Sequence, residues 1–137
     1  MNDNRAEERI RWNGKNTLYL WGPPVIVFLI ILALSLTPGL LYPEHPEKYN
    51  VAVHFLEFVF LAFFLTRALA SVRIENTWKL LLLTVSLCAM IGIMTEILQF
   101  TIPQRMFDVA DILVDIFGAF TGAFLYINVM KLQADRQ

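Results

Sequence analysis

His54 and Glu57, Glu96 and Gln99, and Asp108, Asp111 and Asp115 are three short sets of ionisable or amide side chains, each stepped by three or four positions. On a helix, that spacing puts every set on one face, so three polar stripes can converge on one pocket. Carboxylates opposite an imidazole suit proton transfer, and carboxylate oxygens with an imidazole nitrogen are also donors for a divalent cation. Glu57, Glu96, Asp108, Asp111 and Asp115 face only Arg105 and His54, whose imidazole can be neutral. At low dielectric such an excess of acid requires protons, a cation or a cationic ligand, which disfavours a bare phosphate pocket. Glu96, Asp111 and His54 are the candidates for catalysis or metal ligation, and Arg105, Gln99, Asp108, Asp115 and Glu57 for ligand binding.

Each residue also has an ordinary reading. Asp108 fits a helix N-cap with Asp111 as its third-position partner, and a carboxylate in the first turn of a helix is favoured by the helix dipole. His54 alone would be a packing histidine, and Arg105 is either a snorkelling interfacial cation or the contact for an anion or carboxylate. Glu96 and Asp115 resist this treatment, since they lie about 6 Å and about 10 Å inside their helix ends at 1.5 Å per residue. A charged group there costs about 2.5 to 3.5 kcal/mol on insertion scales, so a lipid-facing placement is disfavoured. Gly118 and Gly122, beside Ala119 and Ala123, make a small-residue face that says only that their helix packs closely on another.

The elements that must position these groups are membrane helices. The 137 residues are 57% hydrophobic and 17% charged, with mean hydropathy +0.56, outside the range of ordinary soluble domains. Residues 16–43 carry no charge, and about 20 apolar residues suffice to cross a bilayer. A first span at about 18–41 follows, with Pro23 and Pro24 in its first turns and Pro38 and Gly39 near its end. A cleaved signal peptide competes for this segment, with Arg9, Arg11 and Lys15 ahead of it, but the apolar run is longer than a usual signal core. The remaining spans, at about 50–69, 78–100 and 109–130, each reach membrane length only by taking acidic residues into the helix. The expected fold is all-α, a single polytopic membrane domain over residues 1–137 with four transmembrane helices in a compact bundle, leaving almost nothing for a soluble domain.

Net charge is −1, so the balance suggests no nucleic-acid partner, and the single Cys88 excludes an internal disulfide framework. Arg5, Arg9, Arg11, Lys15, Arg67, Arg73, Lys79, Lys131 and Arg136 fall on one side of the membrane, with Lys48 and Arg105 on the other. Both termini are therefore expected in the cytoplasm, and the polar stripes in the outer half of the bilayer. Trp12, Trp21 and Trp78 at the inner boundary, with Tyr42 and Tyr49 at the outer, agree as interfacial anchors.

The string TEILQFTIPQRMFDVADILVDIFGAFTG, residues 95–122, resembles the VanZ-like family of small bacterial integral membrane proteins. Glu96, Gln99, Pro103, Arg105, Asp111, Gly118 and Gly122 occupy the family's characteristic positions. KYNVAVHFLEF, with His54, Phe55 and Phe58, looks like its other block, and Ser35 with Pro38 also match. Where the family usually has Asn, four residues after its Asp on the fourth helix, this chain has Asp115, which adds a possible charge. The resemblance implies a four-helix protein of the bacterial cytoplasmic (inner) membrane, in a family whose named member is associated with low-level resistance to the glycopeptide teicoplanin.

Several functions fit these residues. One is an envelope-facing site for a lipid-linked or headgroup-bearing molecule, with Glu96, Asp111 and His54 as its floor, Arg105 as its anion contact, and a divalent cation such as magnesium or calcium reconciling acids with phosphate. If that site is catalytic, Glu96 or His54 is the general base for hydrolysis or transfer on an envelope lipid, although no nucleophile motif accompanies them. Another is an accessory or structural subunit of a larger membrane complex, whose polar cluster holds four helices in register. Ion or proton movement is the third, and the lack of matching acids in the inner halves of the helices argues against it. Membrane lipids are partners in every case.

Overall fold

Four helices account for nearly all of residues 14–37, 46–72, 74, 76–102 and 107–134, which the computed structural model describes. They are α1 (Gly14–Leu36), α2 (Pro46–Ala70), α3 (Thr77–Phe100) and α4 (Val109–Ala134). Each holds a stretch apolar enough to cross a bilayer, Thr17–Leu36, Val51–Ala70, Thr77–Phe100 and Val109–Gln133. At 1.5 Å per residue the shortest of these covers a hydrocarbon core of about 30 Å. The chain is an all-helical bundle of four membrane-spanning helices.

Local chemistry sets several helix ends. The Asn76 side-chain oxygen accepts from the amides of Trp78 at 2.9 Å and Lys79 at 3.1 Å, an N-cap for α3. Asp108 does the same for α4, its Oδ1 accepting from the Ala110 amide at 2.8 Å. At the far end of α3, the Ile102 amide donates to the Gln99 carbonyl and the Thr101 hydroxyl to that of Leu98, satisfying carbonyls the helix leaves open.

α1 begins before the expected span, and the span's expected last positions, up to about 41, lie outside the described residues. It begins at Gly14 and stops at Leu36, while the residues beyond Thr37, up to position 45, lie outside the described part. The earlier start places Pro23 and Pro24 in the helix interior rather than in its first turns. Each proline removes one intrahelical donor, and membrane helices tolerate this because neighbouring helices and local backbone adjustment satisfy the freed carbonyls. α1 is also the most peripheral helix, with Pro24, Ile31 and Ser35 as its buried side chains among those described.

The tightest contact is between α2 and α4, which run in the same direction. A Cβ on Gly118 would stand 2.5 Å from the Phe55 carbonyl oxygen, and one on Gly122 would collide with the Val59 backbone. Ala119 and Ala123, both fully buried, flank this approach. The small-residue face of α4 therefore lets two backbones meet, and α2 is its partner. α3 packs antiparallel to both, around a core that includes Phe58, Leu61, Ala62, Cys88 and Ala119. Towards the opposite end from the acids, the buried hydroxyls of Thr66 and Thr84 meet at 3.3 Å and tie α2 to α3.

The outer surface is apolar and the polar groups point inward. Leu29, Ile30, Phe60, Ile97, Phe117 and Phe124 are all exposed, whereas His54, Glu96, Gln99, Asp111 and Asp115 are buried. In water such a surface would aggregate, but against lipid tails it carries no penalty, and it is the polar groups that must find protein partners.

Candidate functional site

The start of α2, the end of α3 and the start of α4 meet at one end of the bundle, and each brings ionisable groups. His54 lies two turns into α2 and is 5% exposed. Its Nδ1 is 3.0 Å from Asp115 Oδ1, a buried hydrogen bond between α2 and α4. Its Nε2 is 3.9 Å from Asp111 Oδ2, one turn earlier on α4, so the two aspartates bracket the ring. A spacing of four on one helix makes this possible, because Asp111 and Asp115 lie one above the other on the same face.

Glu96 joins from α3. It is fully buried, and its Oε2 accepts the Asp108 backbone amide at 3.0 Å. That amide lies at the N-terminus of α4, so the carboxylate faces the positive end of a helix dipole and takes one of its unpaired donors. Glu96 Oε1 has no hydrogen-bond partner among the described residues, and neither has Asp115 Oδ2. One ligand atom each from His54, Glu96 and Asp111 can be chosen so that all three lie within 4.8 Å of one another.

The other residues picked from the sequence fall around this centre. Gln99 is buried one turn along α3 from Glu96. Glu57 is half-buried one turn deeper along α2 than His54, and its buried Oε1 lacks a partner among the described residues. The Asp108 side chain is exposed and occupied as the N-cap of α4, so this residue reaches the cluster through its backbone. Arg105 lies outside the described residues. Gly118 and Gly122 do not touch the cluster but hold α4 against α2 immediately beyond it.

Two features were not anticipated. Gly92 of α3 is the seat of Asp115, since a Cβ there would stand 2.7 Å from Asp115 Oδ2. A glycine inside an apolar helix is the available signal for such a close approach. The second is an apolar groove of about 510 Å³ between α2 and α4, lined by Val51, Ala52, Phe55, Leu113, Val114 and Phe117. Its walls come from the same two helical segments that carry His54, Asp111 and Asp115 on their buried faces. The groove is lined by apolar side chains, and the cluster residues are not among them.

Residues 47–131, more than half the chain, match the family model described as VanZ/LLP1. No curated protein and no solved structure matches the chain. The matched segment contains all of α3 and most of α2 and α4, and so every residue of the cluster.

Proposed function

The chain belongs to the VanZ/LLP1 family, and from that premise we propose that it works in the bacterial inner membrane by binding an envelope lipid or lipid-linked molecule. The headgroup lies over His54, Glu96 and Asp111, with Gln99 and Asp115 around them and Arg105 as the anion contact. An acyl or prenyl chain lies along the groove of Phe55, Val114 and Phe117. The observation that carries this is the meeting of three buried ionisable side chains from three helices beside a groove open to lipid. Burying that much polar chemistry is costly in a bilayer, and a ligand supplies a reason for it. A link to glycopeptide response, teicoplanin included, is part of the same reading and rests on the family match.

The test combines lipid retention with a cellular readout. Glu96→Gln and Arg105→Ala are expected to insert at wild-type yield, to lose the lipid that co-purifies with the wild-type chain in mild detergent, and to abolish an envelope phenotype such as altered glycopeptide sensitivity. Native mass spectrometry reads the first effect and growth on graded drug the second.

A second reading has an observation of its own. The His54–Asp115 hydrogen bond joins α2 to α4, and the bond from the Asp108 amide to Glu96 joins α4 to α3, so the cluster also fastens three helices in register. An accessory subunit of a membrane complex would need no more than this. Loss of folded protein in both variants favours that reading over ligand binding.

Orientation has a separate test. In the structure Arg67, Lys79 and Lys131 lie at the end of the bundle opposite the cluster, and the positive-inside rule puts that end in the cytoplasm. Reporters fused after Gln137 should be cytoplasmic, and those fused after Glu47 external. An external signal at Gln137 would reverse the assignment and turn the cluster inward.

A further inference from the structure

Resting on the reading of this cluster as a ligand site, we propose that His54 Nε2, one Glu96 oxygen and one Asp111 oxygen bind a single divalent transition-metal ion of the zinc or manganese class. Four observations point to it. Three residues on three different helices, all buried, place one potential ligand atom each within 4.8 Å of the others. Metal–ligand bonds of about 2.0 to 2.2 Å set neighbouring ligands of a tetrahedral ion about 3.4 Å apart. The 3.9 Å between His54 Nε2 and Asp111 Oδ2 is too long for a hydrogen bond and needs only a small contraction to fit around an ion.

The histidine is also held as a ligand would be. Its Nδ1 is 3.0 Å from Asp115 Oδ1, and a carboxylate there accepts a hydrogen bond from the Nδ1–H. The Nε2 lone pair is then left facing Asp111. Metal-ligating histidines almost always donate their other nitrogen to a carboxylate or carbonyl in this way, which fixes the tautomer and orients the ring. Asp115 is therefore the supporting residue of the site rather than a ligand, and Gly92 gives it the room to be one.

The third observation is the unpartnered oxygen of Glu96. The residue is fully buried, and with Oε2 accepting from Asp108, its Oε1 has no partner among the described residues. Leaving a buried acceptor unmade is costly, and a cation removes that cost. The donor set is the fourth. One imidazole with two carboxylates suits zinc or manganese better than the magnesium or calcium expected from the acids alone, since those ions favour all-oxygen shells. Three protein ligands leave at least one coordination position open for water or for an oxygen of a bound headgroup.

The experiment uses the full chain in mild detergent, stripped with chelator and titrated with zinc, manganese, magnesium and calcium. Bound metal is measured per chain, and cobalt is added as a spectroscopic probe of the zinc position. The expected result is one equivalent of zinc or manganese and a visible cobalt band of low symmetry. His54→Gln should remove the band, and Glu96→Gln should weaken binding at least 100-fold. The Glu96→Gln amide oxygen can still accept the Asp108 amide, so this variant keeps the helix contact. Asp115→Asn, which preserves an acceptor for the ring, should retain the stoichiometry and weaken affinity by about 10- to 100-fold. No metal bound by the wild-type chain, or binding unchanged in Glu96→Gln, overturns the proposal. Retained lipid without metal overturns the metal site and leaves lipid binding standing; metal bound without lipid does the reverse.

Discussion

Replacing Gly122 with leucine should separate α2 from α4 and destabilise the bundle severely. There is no side chain opposite Gly122 to repack, because the atoms in the way belong to the Val59 backbone. Overpacking in a well-filled interior costs about 1 to 3 kcal/mol when neighbouring side chains can shift. Here the helix itself must move, so the cost should reach or exceed the top of that range. The measurement is the midpoint of unfolding when the purified chain in mild detergent is titrated with a denaturing detergent. Phe124→Leu, on the exposed face of the same helix, serves as the control and should shift the midpoint little. A wild-type midpoint for Gly122→Leu would mean that α4 does not meet α2 along this face. Because Gly118 and Gly122 hold the segment just beyond Asp115, the substitution should also remove metal binding, although neither glycine touches the cluster.

The second large effect is expected at the buried pair of His54 and Asp115. His54→Leu removes the only hydrogen-bond partner that Asp115 has among the described residues, and its other oxygen already lacks one. Stranding one member of a buried pair typically costs about 3 to 5 kcal/mol. Removing both members is less harmful, since the stranded polar group disappears with its partner. The double variant His54→Leu with Asp115→Ala should therefore be more stable than His54→Leu alone, even though the second change deletes atoms from the interior. Alanine is chosen because it removes the whole Asp115 carboxylate, which lies against Gly92, without putting new atoms into that contact. Unfolding free energies measured in chelator, with no metal to complicate the cycle, give the comparison. If the two losses simply add, the pair is not coupled and the contact between α2 and α4 rests on the glycines alone.

Much of this architecture was legible because the bilayer imposes a length on every helix. The spans expected at about 50–69, 78–100 and 109–130 lie close to α2, α3 and α4, since the polar turns between them leave little freedom. The N-cap at Asp108 was legible for the same local reason, as an acceptor side chain just before an apolar helix. The spacing of His54/Glu57, Glu96/Gln99 and Asp108/Asp111/Asp115 showed which residues share a face, but helix rotation depends on partners. Which face turned inward was decided by Gly118 and Gly122 meeting α2, and by Gly92 admitting Asp115, two contacts between elements distant in sequence. The span expected from about 18 starts within one residue of the apolar stretch Thr17–Leu36, whereas the helix itself begins at Gly14, because an uncharged run marks what can lie in lipid, not where a helix begins. The division of labour around His54 was out of reach altogether, since it depends on which ring nitrogen each aspartate approaches.

The peripheral position of α1 bears on how sequences of this kind can diverge. None of the groups in the cluster comes from it, and its buried stripe is short, consisting of Pro24, Ile31 and Ser35 among the described residues. Trp21, Val27 and Phe28 add partial packing on the core, but Leu18, Val25, Ile26, Leu29, Ile30 and Leu36 are exposed, and against lipid one apolar side chain serves there as well as another. Mutational drift should therefore be cheap along α1 and expensive along α2, α3 and α4, where a glycine, a carboxylate and a histidine must change together or not at all. The chemistry stays with the three helices that follow, each of which supplies one member of the cluster.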